Sequence, residues 1–275
     1  MTPDPIWHRV YADFLMPSRL GDFRRLLESA LKHGYALVSI EMLWKLIQTD
    51  NVDPAGRYIV LRHDIDTDPG TGEAMWNIEK ALGGEASYFF RLSTVDWRLM
   101  ARITEGGASI GYHYEELATV AKERRLRTRE QALRSIPEAQ ERFAQNLDRM
   151  RTSTGQALRV VAAHGDFVNR RLGIANWAIL ADPAFRREVR VDLEAYDGAF
   201  MDRVASRHSD THYPRFWIPG EPRAAIASGV PIVYLLVHPR HWRVNRMINA
   251  RDDLGRLRDS ILYRRPTRSD GLAAS

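Results

Sequence analysis

Short apolar runs of strand length alternate with amphipathic stretches along most of the chain. The runs Tyr35–Ile40, Tyr58–Leu61, Ala86–Leu92, Ala108–Tyr112, Arg159–Ala163, Val189–Leu193 and Pro231–Val237 predict strands. Between them, Leu20, Phe23, Leu27 and Leu31 recur at helical spacing from Pro17 to Leu31, and Lys32-His33-Gly34 ends that helix. Further helices are predicted over Glu41–Ile47, Gly72–Leu82, Trp97–Glu105, Pro222–Ser228 and from Asp252 to Tyr263. One long helical region, Thr128–Thr152, carries Leu133, Ile136, Ala139, Phe143 and Leu147 on one side and is expected to kink at Pro137. Asn169–Asp182 reads as a loop and helix, and Ala195–Pro219 as aromatic and irregular.

Strands alternating with helices predict a parallel sheet, closed into a barrel or doubly wound. Four of the apolar runs stop in chemistry, at Asp64, His113, His164 and His238. In parallel α/β architectures such strand ends converge on one rim, where ligands bind. The densest case is Tyr58 to Pro69, Tyr-Ile-Val-Leu-Arg-His-Asp-Ile-Asp-Thr-Asp-Pro. If the strand continues through the acids, Asp64 and Asp66 share one face and His63 takes the other, which suits a metal ligand beside a base. The other reading is a turn and capping cluster ahead of a helix starting near Gly72.

The 275 residues, 44% of them hydrophobic, can bury a full core as two modest domains or one large α/β barrel. With no repeat or linker, the expectation is one domain over residues 1–275. Within it, residues 1–57 form a helix-strand extension packed on a 58–245 core, and 264–275 form a frayed tail. No cysteine is present, so any metal must be held by His, Asp, Glu or water. The N-terminus lacks a basic segment followed by an apolar one, and no 18 consecutive apolar residues occur, so a soluble, cytoplasmic protein with no transmembrane segment is expected. The net charge of +5 arises from 40 basic and 35 acidic residues interspersed along the chain. Arg124, Arg125, Arg127 and Arg129 alternate with Glu123 and Glu130 as on a solvated face, and no nucleic-acid partner is expected. An anionic sugar or nucleotide-linked substrate accounts for the arginines equally well. The oligomeric state is left open.

The order Arg-His-Asp-Ile-Asp, Ala-Ser-Tyr-Phe-Phe, Gly-Tyr-His-Tyr-Glu-Glu-Leu, Ala-Ala-His-Gly-Asp and Leu-Leu-Val-His, spread over Tyr58 to Trp242, resembles the polysaccharide deacetylase family (the NodB-homology domain). The resemblance implies a distorted (β/α)7-type barrel carrying a divalent metal, usually zinc, and an N-acetylated sugar or glycan as substrate. Residue by residue, it implies Asp64 as base, Asp66 and His113 as metal ligands and His238 as general acid. The family's second motif usually has two histidines four apart, but here the position four after His113 is Leu117. His164 is the candidate to complete the set, with Glu116 as the local alternative. The combination of Arg-His-Asp-Ile-Asp, Gly-Tyr-His-Tyr-Glu and His-Pro-Arg-His-Trp looks like a divergent branch linked to bacterial surface-polysaccharide loci.

The chemistry is coherent on its own terms. Hydrolysing an acetamide needs a nucleophilic water, a group to take its proton, oxyanion stabilisation and an acid for the departing amine. A metal supplies an acidified water and a polarised carbonyl. Asp166 and Asp210 are candidates for the carboxylate that sets the charge of His238, and a backbone amide near Tyr88 or Phe89 for the oxyanion. Arg62, Tyr114, Arg240 and Trp242 are the expected sugar contacts, with barrel packing as the other reading of Tyr112, Tyr114, Trp217 and Trp242. His63 either supports Asp64 or points away, His8 and His33 are structural, and His208 and His212 stay undecided. Two rival functions remain. One is a glycosyltransferase using Asp64-Ile65-Asp66 to chelate a nucleotide-sugar's metal; the other is a catalytically inactive barrel that binds glycan.

Overall fold

A computed structural model describes residues 6–264. Among the described residues, nine strands form one sheet: β1 (Tyr35–Val38), β2 (Arg57–Ile65), β3 (Ser87–Phe90), β4 (Ser109–Tyr114), β5 (Val160–Ala163), β6 (Leu193–Glu194), β7 (Ser206–Asp210), β8 (Trp217–Ile218) and β9 (Ile232–Val237). Their order is β6-β5-β4-β3-β2-β9-β7-β8, parallel throughout except for β7 with β8. β1 pairs with the first half of β2, Tyr35 opposite Arg57 through Val38 opposite Val60, and β3 takes over the same edge from Arg62 onward. Ser87 seals that junction, its Oγ accepting the Ile40 N–H at 2.9 Å. The sheet curls into a half-barrel, and its end strands β6 and β8 do not pair among the described residues.

Period-two alternation divides the core into two layers. Ile59, Leu61 and Ile65 face the surrounding helices with Tyr88 and Phe90. Val60, Phe89, Val160, Ala162 and Tyr234 fill the inside of the curl, and Ile40, Leu43 and Phe200 join them. Gly111 is required where β4 passes this inner layer: a Cβ there would strike the Phe89 ring and lie 2.8 Å from the Val160 carbonyl oxygen. The alternation continues into the charged end of β2. His63 falls on the helix side, where Nε2 meets Glu79 Oε1 at 2.5 Å and the ring stacks on Tyr88 with centroids 4.4 Å apart. It points away from Asp64.

Several elements differ from the sequence expectation. The long helix is two, Arg129–Arg134 and Ile136–Thr154, separated at Ser135. Pro137 opens the second helix instead of kinking one, because a first-turn residue has no use for the missing N–H. Of the Val189–Leu193 run only Leu193 pairs as a strand, which continues to Glu194. The span expected to be irregular contains β7 and β8. The helix expected from Gly72 begins at Pro69, where Asp68 accepts the Thr71 N–H at 3.2 Å, so capping explains Asp68 alone among the clustered acids. Residues 6–57 contribute β1 to the common sheet as well as a helix, Ile6–Phe14. The last helix begins at Arg246 and runs to Arg264; the rest of the expected tail lies outside the described residues.

Arg240, expected at the sugar, is instead a buried clamp between the two ends of the chain. Its Nε donates to Asp13 Oδ1 at 3.0 Å, Nη1 to Asp252 Oδ2 at 2.7 Å and Nη2 to Asp253 Oδ1 at 2.9 Å. This ties helix Ile6–Phe14 to helix Arg246–Arg264. Removing the guanidinium would leave the buried Asp13 facing only the solvent-exposed Arg9. Arg240→Met is therefore expected to lower the unfolding free energy by about 3 kcal/mol in urea titrations; an unchanged midpoint would contradict the clamp.

Candidate active site

The carboxyl ends of β2, β4, β5 and β9 bring Asp64, Asp66, His113, His164 and His238 to one rim, as parallel pairing requires. β4 and β5 run in register with His113 opposite Ala162, which sets the His113 and His164 rings edge to face with centroids 5.2 Å apart. His164 is fixed from behind. Its N–H donates to the Tyr114 carbonyl at 2.8 Å, and its own carbonyl accepts from Asn176 Nδ2 at 2.6 Å.

Asp66, His113 and His164 offer ligand atoms that all lie within 4.8 Å of one another, and this group can hold a metal ion. The donor chemistry tests the fit. His113 Nδ1 lies 2.9 Å from the Ala162 carbonyl oxygen, which can only accept, so Nδ1 carries the proton and the neutral ring has its lone pair on Nε2. That Nε2 faces Asp66 Oδ1 at 3.2 Å and Asp64 Oδ2 at 3.4 Å. A lone pair set against two carboxylates is stable only with a positive charge between them, either a proton or a cation. Asp66 Oδ1 is buried without a hydrogen-bond partner, and His164 Nε2 approaches it at 3.7 Å. Burial alone would raise the Asp66 carboxyl, but His164 and His113 hold it well below the usual carboxylate range.

Glu116, the local alternative ligand, points elsewhere: it contacts the Tyr112 hydroxyl and accepts from Asn146 Nδ2 at 2.9 Å. Its neighbour Glu115, which the sequence reading passed over, faces His164 Nδ1 at 3.2 Å. Arg91 anchors Glu115, with Nη2 at 2.8 Å from Oε1 and 2.9 Å from Oε2. Against burial, which would raise it, His164, Arg91 and Lys122 keep Glu115 strongly acidic. Glu115 thus sets a negative charge beside Nδ1, while Nε2 is the ring nitrogen turned toward Asp66.

On one side of this group, Asp64 is gripped by a fully buried arginine. Arg62 Nε donates to Oδ1 at 2.7 Å and Nη2 to Oδ2 at 2.8 Å. Arg62 is itself held by the Tyr234 hydroxyl at 3.2 Å and covered by the Tyr196 ring, centroid 4.6 Å from Cζ. Burial opposes ionisation of Asp64, but Arg62, His113 and His238 outweigh it and keep the carboxyl below its ordinary value. On the other side, His238 Nδ1 lies 2.7 Å from Asp210 Oδ1, while Asp210 Oδ2 accepts from the His238 N–H and from Trp242 Nε1, each at 2.8 Å. Burial would lower His238; Asp210, then Asp66 and Asp64, push it up to about 9. Asp210 is therefore the carboxylate beside His238. Asp166 is not: it caps helix Phe167–Leu172 and pairs with Lys122 at 2.9 Å.

The expected sugar contacts are placed below the rim. Arg62 has no exposure and serves Asp64; Tyr114 is buried against Phe143; and Trp242 is buried against Trp217 and Phe23 while donating to Asp210. The two undecided histidines divide. His208 bridges the Gly220 carbonyl and Ser206 Oγ, each at 2.8 Å, and His212 packs edge-on against His241. The exposed aromatic faces near the rim are Trp177 and Tyr196, which the sequence reading did not single out. With Arg186, Glu194 and Asp197 they line a cavity of about 440 Å³. Trp177 directly follows Asn176, the residue bonded to His164, and Tyr196 covers Arg62. Burial raises Glu194 in this cavity to about 7.

No family model matches this chain, and no curated protein matches it. Among solved structures it is similar to the peptidoglycan deacetylase PdaC from Bacillus subtilis and to a point mutant of that protein. Each match has 15% identity and a TM-score of 0.37, covering 76% of this chain and 99% of that chain. A likeness this remote transfers no residue role.

The raised His238 makes stability depend on pH in a defined direction. Its contribution is fully present below the unfolded value of about 6.5 and is lost as pH rises through about 9. Urea unfolding of metal-free protein should show that loss on the alkaline side. In Asp210→Asn the alkaline loss should flatten, whereas a profile identical to wild type would show that Asp210 does not set the charge of His238.

Proposed function

We propose that this protein is a metal-dependent deacetylase that hydrolyses the acetamide C–N bond of an N-acetylated sugar or glycan. The observation that carries the reading is the buried, unpartnered Asp66 Oδ1 facing two imidazole nitrogens, with an ionised carboxylate and an imidazolium nearby. Asp66, His113 and His164 would hold the ion, and two imidazoles with one carboxylate and open positions suit Zn²⁺. When bound, the ion would polarise the acetyl carbonyl and acidify a water.

The chain's own residues account for the proton traffic. Asp64, fixed by Arg62 in one orientation and kept ionised, takes the proton as water adds to the carbonyl carbon. His238, protonated at neutral pH and held by Asp210, gives its proton to the nitrogen as the C–N bond breaks, releasing acetate and the amine. The cavity beneath Trp177 and Tyr196 offers aromatic faces for a neighbouring pyranose ring. The match of motif order to the polysaccharide deacetylases supports the same reading, including their distorted barrel.

The rival readings lose their motivation. The Asp-X-Asp chelate of a glycosyltransferase leaves His113, His164 and His238, gathered at the same rim, without a role. The inactive barrel was motivated by the absent histidine at position 117, and His164 stands in reach of the vacant role.

The test is acetate release from N-acetylated chito-oligosaccharides and peptidoglycan fragments by the zinc-loaded protein. Asp64→Asn and His238→Gln are each expected to reduce kcat by about 10²- to 10⁴-fold. The rate should fall as pH rises through the loss of the His238 proton, which a cation on Asp66 moves below the metal-free value of about 9, and Asp210→Asn should move that limb lower still. Acetate release that survives both substitutions would refute the assignment.

A further inference from the structure

No described helix is long and apolar enough to cross a membrane. The last helix, Arg246–Arg264, nevertheless presents an unusual outer face. Met247, Arg251, Leu254, Arg258 and Ile261 follow one another at spacings of four, three, four and three, so they form one straight stripe, and all are exposed. Met247 is 85% exposed and Leu254 67%, with Leu257 beside them at 57%. The helix carries three acids, Asp252, Asp253 and Asp259, none of them on the stripe. Each is committed to another element: Asp252 and Asp253 to Arg240, and Asp259 to Lys122 at 3.4 Å. The stripe is therefore apolar side chains alternating with positive charge.

We propose that this face docks on an anionic lipid surface. Apolar side chains interleaved with arginines match the headgroup boundary of a bilayer, where the former enter the acyl region and the latter meet phosphates. Charge complementarity selects this occupant over the alternatives. A two-fold contact with a second copy would set Arg251 and Arg258 against their own equivalents with no acid on the stripe to pair them. A nucleic acid would use the arginines but gain nothing from covering Met247, Leu254 and Ile261. Arg240, beneath the rim, holds one end of the helix and Tyr263 packs on Phe167 near the other, so the stripe is turned away from the body of the protein. The proposal stands independently of the reaction assigned to that rim.

Co-sedimentation of the full chain with vesicles of phosphatidylcholine containing about one-third phosphatidylglycerol tests it. Binding is expected to these vesicles and not to phosphatidylcholine alone, and to weaken with salt. Arg251→Gln with Arg258→Gln should weaken partitioning by about 30-fold. Leu254→Ser should weaken it several-fold, with circular dichroism and metal content unchanged in both variants. Three results would overturn the proposal: a folded protein that ignores anionic vesicles; binding indifferent to Leu254→Ser and competed by RNA; or a solution dimer that Leu254→Ser dissociates.

Discussion

Two carboxylates at the buried end of one strand dominate this structure. Placing an ionised carboxylate in the interior costs several kcal/mol unless positive charge or N–H donors compensate it. Asp64 is compensated from within its own strand: Arg62, two residues earlier on the same inner face, donates to both oxygens. Asp66 has no such donor on Oδ1, and the nitrogens nearest it belong to His113 and His164. Much of the rim follows from this asymmetry. Ala162 fixes the His113 proton on the far side of the ring, Glu115 and Asn176 fix His164, and Arg91 fixes Glu115. The neighbours of Asp66 thereby turn ring nitrogens toward it, with a proton or a cation required between.

Asp210 repeats the logic with the opposite outcome. It accepts from a backbone N–H, an indole and an imidazole; burial would raise it, but His241 and His238 keep it ionised while it raises His238. One rim thus carries an anionic end at Asp64 and a cationic end at His238. Such separation of two titratable groups by environment is how one site provides acid and base together.

Much of this arrangement was legible in the sequence because apolar runs that stop abruptly in polar residues mark strand ends, and parallel strands bring those ends together. Asp64, Asp66, His113, His164 and His238 were all nominated that way. β7 was not legible, since Ser-Arg-His-Ser-Asp has no apolar alternation and pairs only because β9 lies beside it. Asp210 therefore stood only as one of two candidates. Glu115 and Glu116 could not be told apart, because the helix Glu116–Glu123 begins between them and sends adjacent side chains in different directions. Arg240 and Trp242 were misplaced for a similar reason: the turn Pro239–His241 carries them beneath the rim, so closeness to His238 along the chain is not access to the same pocket. Trp177 and Tyr196 sit in a short 3-10 turn and a loop, where no periodicity announces a site.

The proposed activity depends on a cation bridging Asp66, His113 and His164. The most direct measurement is anomalous scattering at the zinc edge from crystals of zinc-loaded protein. One strong peak is expected, bonded to a carboxylate oxygen of Asp66 and to Nε2 of His113 and of His164, with at least one further position open to solvent. A peak held elsewhere, or none at this rim in crystals that retain the metal, would contradict it.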